Sequence, residues 1–183
     1  MSTIAYDLVQ DPKVQAFVRR RFSESLRRLT DLGFGEVCIY RESGPRNSAL
    51  RSFPVMAAMA LRREVVSVQP GRRVSAAFPL LIRLSPPTYA YPFGLGVKYH
   101  TAFLDGSALV TANFESLLVP PAPGKLRKQS RRLPVEEAWE WHRKTVELMV
   151  HDGHDPDNHF AFEGFVRISR LEDEAAQTLS RPV

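Results

Sequence analysis

The chain has 183 residues, 44% apolar and 25% charged, with a single cysteine, Cys38, and a formal net charge of +5. That size suits one compact domain that buries most of its unfolded surface, and a lone cysteine excludes an internal disulfide framework. The longest apolar runs, Val55–Leu61 and Ala76–Ile82, fall far short of the roughly 20 residues that cross a bilayer, and Met1–Asp11 lacks the apolar stretch of an export signal, so a soluble, cytoplasmic protein is expected.

The first element in chain order is a helix. Asp11-Pro12 supplies an N-cap carboxylate followed by proline at the first helical position. Val14, Phe17, Val18, Phe22, Leu26, Leu29 and Leu32 follow at helical spacing up to Gly33, which predicts one amphipathic helix from Pro12 to about Leu32. Glu36–Tyr40 reads as a strand. Between Phe53 and Val68 helix and strand signals conflict, and two strands are favoured. Val74–Leu84 is a further strand, and Pro79 inside it points to an edge or a bulge.

Asp105-Gly106 lies between two alternating runs and suits a two-residue hairpin turn. Pairing Leu104 with Ser107 places Val97, Tyr99, Thr101 and Phe103 on one apolar face with Phe114, Ala112, Val110 and Ala108. Lys98, His100, Thr111 and Asn113 then share the opposite face. Residues 119–133 read as an exposed proline-then-basic connector. A helix from Pro134 to about Val150 carries a broad apolar arc that includes Trp139 and His142, and a last helix runs from near Phe160 to Ala176. The expected fold is a single α+β domain over residues 1–183. It has a central antiparallel sheet of about five strands, an N-terminal helix, and two C-terminal helices packed on one face of that sheet.

The familiar phosphate-binding, dinucleotide-binding, nucleophile-elbow and zinc-helix motifs are absent from the chain. Gly94-Leu95-Gly96 lacks a third glycine and leads into a strand. The stretch from Gly94 through Asp105-Gly106 to Phe114 resembles a motif of a bacterial family, and no activity attaches to that resemblance. Three of the five histidines fall within His151–His159. There His151, His154, Asp155 and His159 form the candidate metal set, since imidazole and carboxylate suit a divalent cation. The plain alternative is a polar loop between two helices. His142 reads as a buried, neutral, hydrogen-bonded histidine, with a general base as the alternative. Lys98, His100, Thr111 and Asn113, with Tyr89 and Tyr91 beside them, form the candidate ligand-binding set.

Arginine supplies 20 of the 25 cations, and the charge is uneven: +11 up to Pro134 and −6 from Val135 onward. Arginine forks suit phosphates and carboxylates. The leading expectation is therefore a non-catalytic binding or accessory protein whose arginine-rich surface meets an anionic macromolecule or an acidic protein surface. Two alternatives stand beside it. One is a metal-assisted hydrolase built on the 151–159 cluster, the other a small-molecule-binding α+β domain. No cofactor other than a divalent metal is expected, and no catalytic residue is assigned.

Overall fold

The computed structural model describes residues 4–45, 66–69, 73–93, 96–114, 125–158 and 162–178. Among them the elements run β1 (Ala5–Leu8), α1 (Pro12–Arg21), α2 (Ser23–Asp31), β2 (Gly35–Pro45), β3 (Val66–Gln69), β4 (Arg73–Leu84), β5 (Pro87–Phe93), β6 (Gly96–Ala102), β7 (Ala108–Ala112), β8 (Leu126–Ser130), α3 (Val135–His151) and α4 (Phe162–Thr178). The fold is α+β, and its sheet is larger than the five strands expected. Seven strands follow one path, β1-β2-β4-β5-β6-β7-β8, and β3 pairs with β4 beside it. Every pairing is antiparallel except β7 with β8, which is parallel.

The N-terminal helix starts where the sequence places it. Asp11 Oδ1 accepts the amides of Lys13 (2.8 Å) and Val14 (3.5 Å), satisfying donors that have no partner inside the helix. The helix is not continuous to Leu32, however. Phe22 leaves helical geometry at φ −105°, ψ 16° and divides it into α1 and α2. The break keeps its hydrogen bonds, because the Phe22 amide still donates to Val18 O and its carbonyl still accepts from Leu26. It lets Val18 and Phe22 pack into one apolar cluster and Leu29 into another. Gly33, at φ +82°, ends α2 as expected.

Strand β4 is not at an edge. It pairs with β2 along its length, while on its other side β3 takes Arg73–Ala76 and β5 takes Leu81–Leu84. Pro79 falls in the gap between those two partners, where a missing amide breaks no ladder. Of the ambiguous stretch, Val66–Gln69 is strand β3, and the segment 53–65 lies outside the described residues. The expected connector is a strand in its described part. Leu126–Ser130 pairs with β7, and Leu126 is buried. Alternation explains this, since Leu126 and Lys128 point inward while Arg127 is exposed.

The hairpin register differs from the sequence expectation by one residue. Phe103, not Leu104, faces Ser107: the Phe103 amide donates to Ser107 O (2.9 Å) and the Gly106 amide to Phe103 O (3.0 Å). The loop is therefore the three residues Leu104-Asp105-Gly106, with Gly106 in the left-handed region at φ +84°. Tyr99 pairs with Thr111, Thr101 with Leu109, and His100 with Val110. All five residues of β7 are buried, so both faces of this hairpin are covered.

The two C-terminal helices cover opposite faces, not one. Phe34, Tyr99, Val97 and Ala90 pack with Trp139 and Ala138 of α3, while Phe103 and Leu109 pack with Val146 and Met149. On the other face, Tyr89, Tyr91, Ala102 and Val110 pack with Phe165 and Ile168 of α4. The Phe165 ring lies 6.4 Å from Tyr6 on β1, 4.8 Å from Tyr40 on β2, 5.4 Å from Tyr91 on β5 and 5.8 Å from His100 on β6. β1 and β6 are four steps apart along the path, about 19 Å in a flat sheet. One ring reaches both because the sheet curls around α4.

Candidate functional site

A charged cluster lies in that curl. Glu172 of α4, buried on the helix face of Phe165 and Ile168, receives Lys98 Nζ at 2.9 Å on Oε1 and 3.1 Å on Oε2. His100 Nε2 stands 3.3 Å from Oε2, and Lys128 Nζ stands 3.8 Å from Oε1. Alternation along β6 puts Lys98 and His100 on the α4 face, and β8 adds Lys128 beside them. Burial alone would raise the Glu172 carboxyl, but Lys98, His100 and Lys128 hold it well below the ordinary carboxylate range. Burial pushes Lys128 down to about 8 and lowers His100, both against the pull of Glu172.

Aromatic rings wall the cluster. Tyr91 meets His100 edge-on at 5.2 Å, Phe165 stacks on it at 5.8 Å, and Lys98 Nζ sits 5.9 Å from the Tyr91 ring centre. Two more carboxyls complete it. Desolvation raises Glu42 to about 8, with Asp173 adding to the shift, and desolvation raises Asp173 to about 7. Tyr6 donates to Asp173 at 2.9 Å. His100 is wholly buried, yet its Nδ1 has no hydrogen-bond partner among the described residues. Buried polar atoms are seldom left so.

Of the candidate ligand-binding residues, the structure thus gathers Lys98, His100, Tyr89 and Tyr91 beneath α4. The one-residue shift of register sends Thr111 and Asn113 to the other face. Asn113 Oδ1 accepts the Val97 amide (2.6 Å) and its Nδ2 donates to Leu133 O (3.2 Å), closing the sheet end. Thr111 joins His142, which is fully buried as the sequence suggests. Thr101 Oγ1 donates to Pro87 O (3.0 Å) and so accepts from His142 Nε2 (3.0 Å). Thr111 Oγ1 then donates to His142 Nδ1 (2.7 Å) while accepting from Gln129 (2.8 Å). This accounting assigns His142 as the neutral Nε2–H tautomer. Burial lowers it to about 3, in agreement. Both nitrogens are occupied, so this histidine ties α3 to the sheet and has no free nitrogen to act as a base.

Among the described residues, His151, His154 and Asp155 do not form a metal site. His154 Nδ1 pairs with Asp105 Oδ2 at 2.7 Å, and the Asp155 carbonyl accepts the Leu104 amide at 2.9 Å. His151 is exposed at the end of α3. Among the described residues no group of three or more His, Cys, Asp or Glu side chains is placed to hold a metal ion, and His159 lies outside them. The loop instead docks onto the hairpin tip, where Phe103 bridges to Pro156.

The sequence reading missed Glu172, Lys128, Glu42 and Asp173. A signal existed for Glu172: it follows Phe165 and Ile168 at helical spacing, a charge in an apolar stripe. Among the described residues, no helix is long and apolar enough to cross a membrane. The fold and site together define an α+β domain whose curled sheet holds a buried charged cluster against its last helix. Comparison with family models, with curated proteins and with solved structures finds no match for the chain.

Proposed function

We propose that the protein is a non-catalytic small-molecule-binding domain that takes an anionic group on Lys98, His100 and Lys128, with Tyr89 and Tyr91 as its apolar wall. One observation carries the reading: three cationic or cation-capable side chains from two strands converge on a single carboxylate position, and one of them, the buried His100, keeps an Nδ1 with no hydrogen-bond partner among the described residues. Small-molecule sites combine apolar walls with a few convergent polar groups in this way. The lone cysteine fits a cytoplasmic setting, which belongs to the same proposal. Thermal melts against a panel of small carboxylates, phosphates and neutral analogues test it. Anions should raise the wild-type melting temperature saturably, and Lys98→Met should abolish the rise. Equal responses to anionic and neutral compounds would sink the reading.

A second reading, the basic surface for an anionic macromolecule, is supported by α1. An open groove of about 670 Å³ is lined there by Lys13, Val14, Ala16, Phe17 and Arg20. Several other arginines are already engaged: Arg19 with Glu36, Arg27 with Asp31, and Arg28 with Glu136 across the basic and acidic halves. Retention on heparin with steep elution by salt would favour this reading. Flow-through at about 50 mM salt would exclude it, since screening is weak there.

A further inference from the structure

The carboxylate held by Lys98, His100 and Lys128 belongs to the chain itself. We propose that this cluster is a carboxylate-binding site whose resident occupant is the Glu172 side chain, so that a small monocarboxylate is the ligand class and α4 is its tethered competitor. The inference rests on the small-molecule reading and deepens it.

The geometry is that of a bound carboxylate. Lys98 spans both oxygens at 2.9 and 3.1 Å, with His100 beside one and Lys128 beside the other. Lysine acts here as a point charge: Lys98 bridges both oxygens and Lys128 approaches the same Oε1, so both charges face one planar anion. His100 supplies a second, independent sign of a ligand. It is wholly buried, its Nε2 stands 3.3 Å from the Glu172 carboxylate, and its Nδ1 has no hydrogen-bond partner among the described residues. Such an unsatisfied buried group marks a place where a further acceptor belongs.

The charge balance favours a monoanion. The present occupant is itself a monoanion, a single carboxylate between Lys98, His100 and Lys128. The walls favour an apolar body on that anion, because Tyr91 and Phe165 flank His100 at 5.2 and 5.8 Å. Glu172 shares the inward side of its helix with Phe165, Ile168 and Ala175, which pack in the apolar cluster, and with buried Ser169, while Asp173 beside it accepts from Tyr6. Exchange of its carboxylate for a free one therefore replaces like with like at the sheet and loosens one polar anchor of α4.

Truncating Glu172 to alanine removes Cγ, Cδ and two oxygens, the same four heavy atoms as acetate. Acetate is therefore the probe, acetamide its neutral isostere, and chloride at equal ionic strength the control for screening. If the Glu172 carboxylate vacates the site a tenth of the time or less, wild type binds acetate at least about tenfold more weakly than Glu172→Ala. Calorimetric titration should show that order, with Glu172→Gln between the two, and acetamide should bind none of them. If Glu172→Ala does not fold, the Glu172→Gln comparison decides: no gain in acetate affinity over wild type overturns the proposal. Equal acetate binding by wild type and both variants, lost in Lys98→Met, would overturn the tethered competitor and leave the small-molecule reading standing. Binding by the variants with none by wild type would support the carboxylate site and its competitor while defeating a ligand role in the native chain.

Discussion

Replacing Trp139 with alanine gives the most direct check on how α3 seats on the sheet. Trp139 is 5% exposed. Its ring meets Phe34 edge-on at 4.9 Å, lies 5.6 Å from Tyr99 and 5.9 Å from His142, and carries the Arg83 guanidinium at 5.2 Å. A tryptophan buries about 150–250 Å², worth about 4–6 kcal/mol at roughly 25 cal/mol per Å². Alanine retains part of that area, so the loss is about 3–5 kcal/mol, the usual range for such a truncation. For a domain of this size each kcal/mol shifts the melting temperature by about 2–4 °C, which gives a drop of about 6–20 °C. Scanning calorimetry at pH 7 reads it directly. Trp141, only partly buried on the same helix, is the control, and its alanine variant should lose clearly less. A Trp139→Ala protein melting within about 2 °C of wild type would refute the packing of α3 on Tyr99 and Val97.

The charged cluster predicts a pH dependence. Glu42 is raised to about 8 and Asp173 to about 7, so the folded chain holds protons there that the unfolded chain releases near its ordinary carboxylate range. Their contribution is greatest below the unfolded values and is lost progressively as pH rises from there through about 7 and about 8. Melting temperature should therefore fall as pH rises from about 5 to about 7, and Glu42→Gln should flatten that fall; an unchanged slope would contradict the assignment. Thr111→Val strands His142 Nδ1 and the Gln129 amide, so it should cost about 1–3 kcal/mol by urea denaturation, whereas Thr111→Ser should restore stability. A valine variant as stable as wild type would mean that the His142 network is not formed. Asp11→Ala removes the α1 cap and should cost about 0.5–2 kcal/mol, read by the same melts; no loss would show the helix start held by other contacts.

Local chemistry was legible in the sequence. The Asp11-Pro12 start and the Gly33 stop of the N-terminal helical region, the hairpin around Asp105-Gly106, the amphipathic span of α3 and the burial of Trp139 and His142 follow from caps, turns and periodicity. These depend on residues within one or two turns of each other. What the sequence left open is which partner each face meets. A hairpin loop of two or three residues satisfies the same Asp-Gly turn chemistry, yet the choice moves Thr111 from the face of His100 to that of His142. An apolar stripe says that a helix is buried without saying on which side of the sheet, so α3 and α4 could be placed together when they lie on opposite faces.

The candidate site shows the same division most clearly. Alternation along β6 already put Lys98 and His100 on one face, and Tyr89 and Tyr91 were read as their neighbours. Their anionic partner, Glu172, stands 72 residues after His100 in the chain, and Lys128 sits in what read as an exposed connector. Only the curl of the sheet around Phe165 brings β1, β2, β6, β8 and α4 to one place. That curl arises from strand twist summed over the whole path and from the helix that fills it, and no local stretch of sequence encodes either. Sequence thus set which side chains could carry charge into the interior, and tertiary structure decided that they meet, because burying one carboxylate requires cations from several distant elements at once.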